Sequence, residues 1–168
     1  MQIRKALGKW YFRVPLEVGL LLFIWFFVIQ YRPTRGASML PTLPEGSYVF
    51  VDKLSLWFGE PVRGEVIIFQ SNEEPREQLC KRVVGLPGET LEISGGKVFI
   101  NSSPLYEPYI IGNTFWERPP VKIGHDQYYV IGDNRGMRIT GHWQGLVARR
   151  NILGRVIGKG YDHLGDTQ

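Results

Sequence analysis

The stretch Leu79-Cys80-Lys81-Arg82-Val83-Val84, closed by Gly85-Leu86-Pro87-Gly88, leads into Thr90-Leu91-Glu92-Ile93, Gly95-Gly96 and Lys97-Val98-Phe99-Ile100. It reads as short β-branched runs cut by turn residues, with Gly95-Gly96 as the tip of a hairpin. The same grammar extends in both directions. Ser47–Asp52, Glu65–Phe69, Tyr128–Ile131 and Leu153–Ile157 are further strand candidates, set off by Glu60-Pro61, Arg63-Gly64 and Gly132-Asp133-Asn134. No helical period appears after residue 43. With 20 glycines and 11 prolines in 168 residues, the pattern predicts a mainly β domain of coiled antiparallel sheets or a barrel.

The N-terminus is different. Val14 to Tyr31 reads VPLEVGLLLFIWFFVIQY, uncharged from Val18 to Ile29, and Arg4, Lys5, Lys9 and Arg13 precede it. Basic residues ahead of an apolar run predict a membrane helix with its N-terminus in the cytoplasm. Pro15 suits the first turn of such a helix. A cleavable leader would need small residues before a cut, and the best site, after Ala37, has Arg35 in the outer position. The expected organisation is therefore a cytoplasmic N-terminus and transmembrane anchor over residues 1–31, then a β-rich domain over 32–168. Ser38 lies only seven positions after Tyr31, so it is expected close to the membrane surface. Leu54-Ser55-Leu56-Trp57-Phe58-Gly59 reads equally as core or as a segment dipping into the interface.

The single cysteine, Cys80, excludes an intrachain disulfide and cysteine-rich zinc sites. The formal charge of +4 is concentrated ahead of the apolar run, with no aromatic–basic stripe, which argues against a nucleic-acid partner.

Two residues carry candidate chemistry. Ser38 lies in Arg35-Gly36-Ala37-Ser38-Met39-Leu40-Pro41, and Lys81 lies in an apolar strand. A serine hydroxyl becomes a nucleophile when a base takes its proton, and a lysine can be that base if burial keeps it neutral. His125, His142 and His163 stand in turn-like or polar settings that do not mark them as the base. Taken singly, Ser38 could sit in an ordinary loop and Lys81 on an exposed strand face.

Together these segments resemble the type I signal peptidases, the leader-peptidase family of Ser/Lys proteases, over nearly the whole chain. Ser38-Met39-Leu40-Pro41-Thr42-Leu43 is similar to the nucleophile box and Lys81-Arg82-Val83-Val84-Gly85-Leu86-Pro87-Gly88-Glu89 to the lysine box. Gly46–Lys53 and Arg63–Phe69 resemble the strands between them, Gly96–Asn101 and Glu107–Ile110 the spacer, and Gly132-Asp133-Asn134-Arg135 the opening of the last box. The resemblance implies Ser38 as nucleophile and Lys81 as general base, with no metal or organic cofactor. The implied substrates are exported preproteins with small residues at −1 and −3. The implied setting is the bacterial cytoplasmic membrane, with the bilayer as a partner and the catalytic domain outside.

The last box departs from the family pattern. Arg138, Thr140, Gly141 and His142 occupy slots where the family has serine, aspartate and Ser-Arg, and Gly145-Leu146-Val147 fits again. On this reading Thr140 would supply a hydroxyl to Lys81, and Arg138 would depress the Lys81 pKa by repulsion. Gly36, two before the serine, offers no side-chain oxyanion donor, leaving the Ser38 backbone N–H. The alternative is an impaired relative that binds preproteins or partners at the membrane. A self-cleaving repressor-type Ser/Lys protease is disfavoured by the apolar segment.

Overall fold

The computed structural model describes the backbone of residues 3–27, 29–73, 76–139 and 143–160, and their side chains except those of 3–9, 23–27 and 29. An N-terminal helix, α1 (Ile3–Phe27), is followed by strand β1 (Ile29–Pro33). Next come β2 (Tyr48–Asp52), a one-turn helix α2 (Ser55–Phe58), β3 (Val66–Gln70) and β4 (Gln78–Gly85). The hairpin β5 (Thr90–Ser94) and β6 (Lys97–Ile100) is followed by β7 (Ser103–Pro104) and β8 (Arg118–Lys122). The last strands are β9 (Gln127–Ile131), β10 (Gly145–Ala148) and β11 (Ile152–Gly160).

Two antiparallel sheets result, one ordered β1-β2-β11-β3-β4-β9-β10 and one ordered β7-β6-β5-β8. β3 is buried on both faces, which explains its unbroken apolar sequence. Ile67 and Phe69 pack with Val83, Tyr128, Val130 and Val147, while Val66 and Ile68 pack with Met39, Leu43, Val49 and Val51. A third cluster, including Leu91, Ile93, Val98, Tyr129 and Ile131, joins the two sheets. Bulges in β4 between Val83 and Gly85, and in β11 between Val156 and Gly158, give the large sheet its curl.

The mainly β reading therefore holds, with differences at four places. Helix is not confined to the N-terminus: α2 forms because the Asp52 carboxylate accepts the backbone N–H groups of Leu54 (2.8 Å) and Ser55 (3.1 Å), and a 3-10 turn covers Arg149–Asn151. β8, Arg-Pro-Pro-Val-Lys, escapes a pattern search because of its prolines, which an edge strand tolerates. α1 begins earlier than expected and contains Arg13 and Pro15, so Pro15 is internal and not in the first turn. It also ends earlier, at Phe27, because residues 29–33 pair with β2, where the Tyr31 and Tyr48 rings stack at 4.2 Å.

The early end matters for the membrane reading. The uncharged part of α1, residues 18–27, rises only about 15 Å, half of a bilayer's hydrocarbon thickness. Among the described residues no helix is long and apolar enough to cross a membrane.

Candidate active site

Ser38 is presented by a tight turn. Leu40 N–H donates to Ala37 O (3.2 Å) and Leu43 N–H to Met39 O (2.8 Å), while Met39 and Leu43 sink into the core below β2 and β3. Lys81 comes from the middle of β4 and is 3% exposed, and its Nζ donates to Ser38 Oγ at 2.5 Å. The two residues selected from the sequence, 43 positions apart, thus meet at one point. They line a cleft of about 310 Å³ with Met39, Val49 and Ile68 among its apolar lining.

Burial dominates the electrostatics of Lys81, lowering its pKa from 10.5 to about 8, against smaller upward pulls from Cys80 and Asp133. Repulsion from Arg138, expected from the sequence, plays no part: Arg138 is exposed and desolvation suffices. Thr140, Gly141, His142 and His163 lie outside the described residues. His125 is exposed in the turn between β8 and β9, away from the lining of the Ser38 cleft. Cys80 also lines that cleft, and burial raises its thiol pKa to about 12, which keeps it protonated.

Several functional neighbours were not singled out from the sequence. Arg82 follows Lys81 on β4 and turns to Asp133, which it holds through Nε–Oδ1 (2.8 Å) and Nη2–Oδ2 (2.5 Å). Asp133 is fully buried and also accepts the Thr42 hydroxyl at 2.5 Å, tying the turn that carries Ser38 to the β9–β10 connection. Asn134 grips the same turn from the other side: its backbone N–H donates to Ser38 O (3.1 Å) and its Nδ2 to Ala37 O (3.1 Å). The Arg82 guanidinium stacks 4.0 Å from the Tyr109 ring centre, and Tyr109 donates to Glu107 at 3.0 Å. Glu107 in turn binds the buried Arg135 through two contacts, 2.5 and 3.0 Å. Gly132-Asp133-Asn134-Arg135 and Glu107-Pro108-Tyr109 signal only that these charged residues need partners, not which partners they take.

A buried lysine of lowered pKa against a serine hydroxyl, in an open apolar cleft, can generate an alkoxide nucleophile without histidine or metal. Comparison with known proteins identifies the family. Residues 7–159 match the family described as "Signal peptidase, peptidase S26". The chain is 40% identical over 151 residues to a signal peptidase I of Leptolyngbya laminosa, covering 86% of this chain and 74% of that one. It is 35% identical over 170 residues to a probable signal peptidase I-1 of Synechocystis sp., covering 94% and 87%. A signal peptidase I of Bacillus amyloliquefaciens is 31% identical over 157 residues, covering 87% and 81%. In three dimensions the crystal structure of a signal peptidase I from Enterococcus faecalis is similar at a TM-score of 0.50 and 25% identity, covering 58% of this chain and 97% of that one. The chain belongs to the signal peptidase family, peptidase S26.

Proposed function

We propose that Ser38 is the nucleophile and Lys81 the general base with which this chain, as a signal peptidase I, removes signal peptides from exported preproteins. The observation that carries the assignment is the 2.5 Å contact from Lys81 Nζ to Ser38 Oγ at the mouth of the cleft. At pH 7 a pKa of about 8 leaves about a tenth of Lys81 neutral, against roughly one part in three thousand at 10.5. Burial therefore raises the population of competent base by some two orders of magnitude.

Neutral Lys81 takes the Ser38 proton as Oγ attacks the scissile carbonyl. The Ser38 backbone N–H is the donor for the resulting oxyanion, a contribution of about 3 kcal/mol for a well-placed group. The Lys81 ammonium then returns its proton to the departing amine, leaving an acyl-enzyme on Ser38 and a neutral amine. Lys81 next activates the water that hydrolyses the ester. The apolar lining supplied by Met39, Val49 and Ile68 suits small side chains of an extended substrate, the A-x-A pattern at −3 and −1.

The same reading takes α1 as the anchoring segment at the bacterial cytoplasmic membrane, its basic N-terminal end toward the cytoplasm and residues 32–168 beyond it; a span would need the whole 25-residue helix, about 37 Å long, and not its uncharged part alone. Trp10, Tyr11, Phe12, Leu16 and Leu20 to Leu22 are exposed along α1, a costly surface in water. Ile29 is paired with Asp52, so α2 follows within a few residues of the point where α1 enters the sheet. The sequence reading left residues 54–59 open between core and interface, and they divide: Leu56 is buried, while Trp57 and Phe58 are 80% and 82% exposed at that end. This supports their lying in the membrane interface.

The test is cleavage of a preprotein carrying an A-x-A site by the full chain in detergent, beside Ser38→Ala and Lys81→Ala. Cleavage by the parent and its loss in both folded variants is the expected result. Activity surviving in Ser38→Ala would refute the assignment.

A further inference from the structure

The cleft that holds Ser38 does not end there. Arg32, Ile68 and Gln78 line both it and a second recess of about 320 Å³ that runs on to Lys53 and Trp57. The register explains how. On the edge strand β1, Gln30 and Arg32 stand opposite Val51 and Val49 of β2, so all four project from the same face of the sheet. Val49 and Val51 are buried in the cluster beneath the cleft, whereas Arg32 is exposed at its border. A groove results with an apolar floor and a cationic rim of Arg32, Arg35 and Lys53, and no carboxylate lines either recess among the described residues. Glu45 accepts the Gly36 N–H at 3.2 Å, and among the described residues Arg32 bonds the neutral Gln30 amide, at 3.0 Å.

An extended peptide alternates its side chains, so small residues directed at the floor place their neighbours toward the rim. Such a rim attracts a carboxylate and repels an ammonium, at a cost that salt reduces. We propose that Arg32 is a specificity-determining residue that selects substrates with an acidic side chain, and rejects those with a basic one, roughly two to five residues before the cut. This rests on Ser38 being the nucleophile of the cleft.

The experiment uses three peptides with the same A-x-A site, carrying Glu, Gln or Lys at each rim-facing position in turn, cleaved by the full chain and by Arg32→Glu. For the parent, kcat/KM for the Glu peptide should exceed that for the Lys peptide by about fivefold or more at low salt and fall to within about twofold at high salt. In Arg32→Glu the ratio should vanish or invert, whatever the overall rate. The Ser38→Ala protein supplies the same ratio as peptide Kd values, so the preference is measured independently of catalysis. Failure of the parent to cut the Gln peptide would indict the nucleophile assignment, and the Kd ratio would still judge Arg32. A ratio near one in the parent, or one that Arg32→Glu leaves intact, overturns the proposal. So does the remaining outcome, in which peptides show no charge preference but Arg32→Glu weakens binding to anionic vesicles and not to neutral ones, which would assign the rim to lipid headgroups.

Discussion

Gly132 and Ser38 are in direct backbone contact: a Cβ built on Gly132 would come within 2.3 Å of the Ser38 carbonyl oxygen. Only a residue without a side chain lets the connection after β9 close on the turn that carries Ser38. Gly132→Ala should therefore push the turn away while the sheets, held by three apolar clusters, stay folded. If Ser38 acts as the proposed nucleophile, displacing it by about 1 Å costs on the order of a hundredfold in rate. We expect kcat/KM to fall by about that factor with a far smaller change in Tm. A fully active, correctly folded Gly132→Ala would show that this contact does not set the position of Ser38.

Asp133 joins Arg82 to Thr42 at zero exposure, so removing its charge strands a guanidinium that is 9% exposed. Asp133→Asn should destabilise the domain by about 3 to 5 kcal/mol, measured by urea unfolding. Asp133 also pulls the Lys81 pKa upward, so its neutralisation should move the rising limb of the kcat/KM profile to lower pH. A limb moving to higher pH, or a stability loss below about 1 kcal/mol, would contradict the arrangement.

How much of this could be read in advance depended on locality. β2, β3, β4, β5, β6 and β9 announced themselves because alternation and turn residues act within a few positions. The Gly95-Gly96 hairpin is a clear case: both residues have positive φ, 55° and 79°, as a tight turn between twisted strands requires. β1 was hidden in an apolar run that reads as helix, and only its pairing with β2 over five positions decides otherwise. β10 and β8 depend in the same way on partners distant in sequence. At the site, Ser38 and Lys81 could be paired from the sequence, and the structure brings them together at 2.5 Å. The partners of Arg82 and Arg135, Asp133 and Glu107, could not be so paired, because counter-ion choice is settled by tertiary contact alone.

Trp57 and Phe58 offer the most direct test of the membrane reading outside α1. Both project from the one-turn helix beside the α1–β1 junction, and neither supports the core. The double variant Trp57→Ser, Phe58→Ser should fold with an unchanged Tm and lose at least about fivefold in binding to lipid vesicles. Cosedimentation of the two proteins with vesicles measures this. Equal partitioning would leave these rings without a role at the interface.

With Lys81 as the proposed general base, its lowered pKa governs the pH dependence of activity as well as that of stability. Its pKa in the folded protein, about 8, lies below the ordinary 10.5, so between these values the unfolded chain binds more protons and stability rises with pH. Below pH 8 the buried lysine is protonated in both states and costs about 3 kcal/mol of stability, a cost that disappears above pH 10.5. Lys81→Met fills similar space without the charge. At pH 6 to 7 it should be inactive yet more stable than the parent by roughly 2 to 3 kcal/mol, with the advantage shrinking toward pH 10. The parent's kcat/KM should rise about tenfold per pH unit up to about 8 and then level. Urea unfolding at three pH values and one rate profile suffice. A Lys81→Met protein less stable than the parent at neutral pH would mean that the amine is held by favourable contacts stronger than its burial, and the activity limb would then lie well above pH 8.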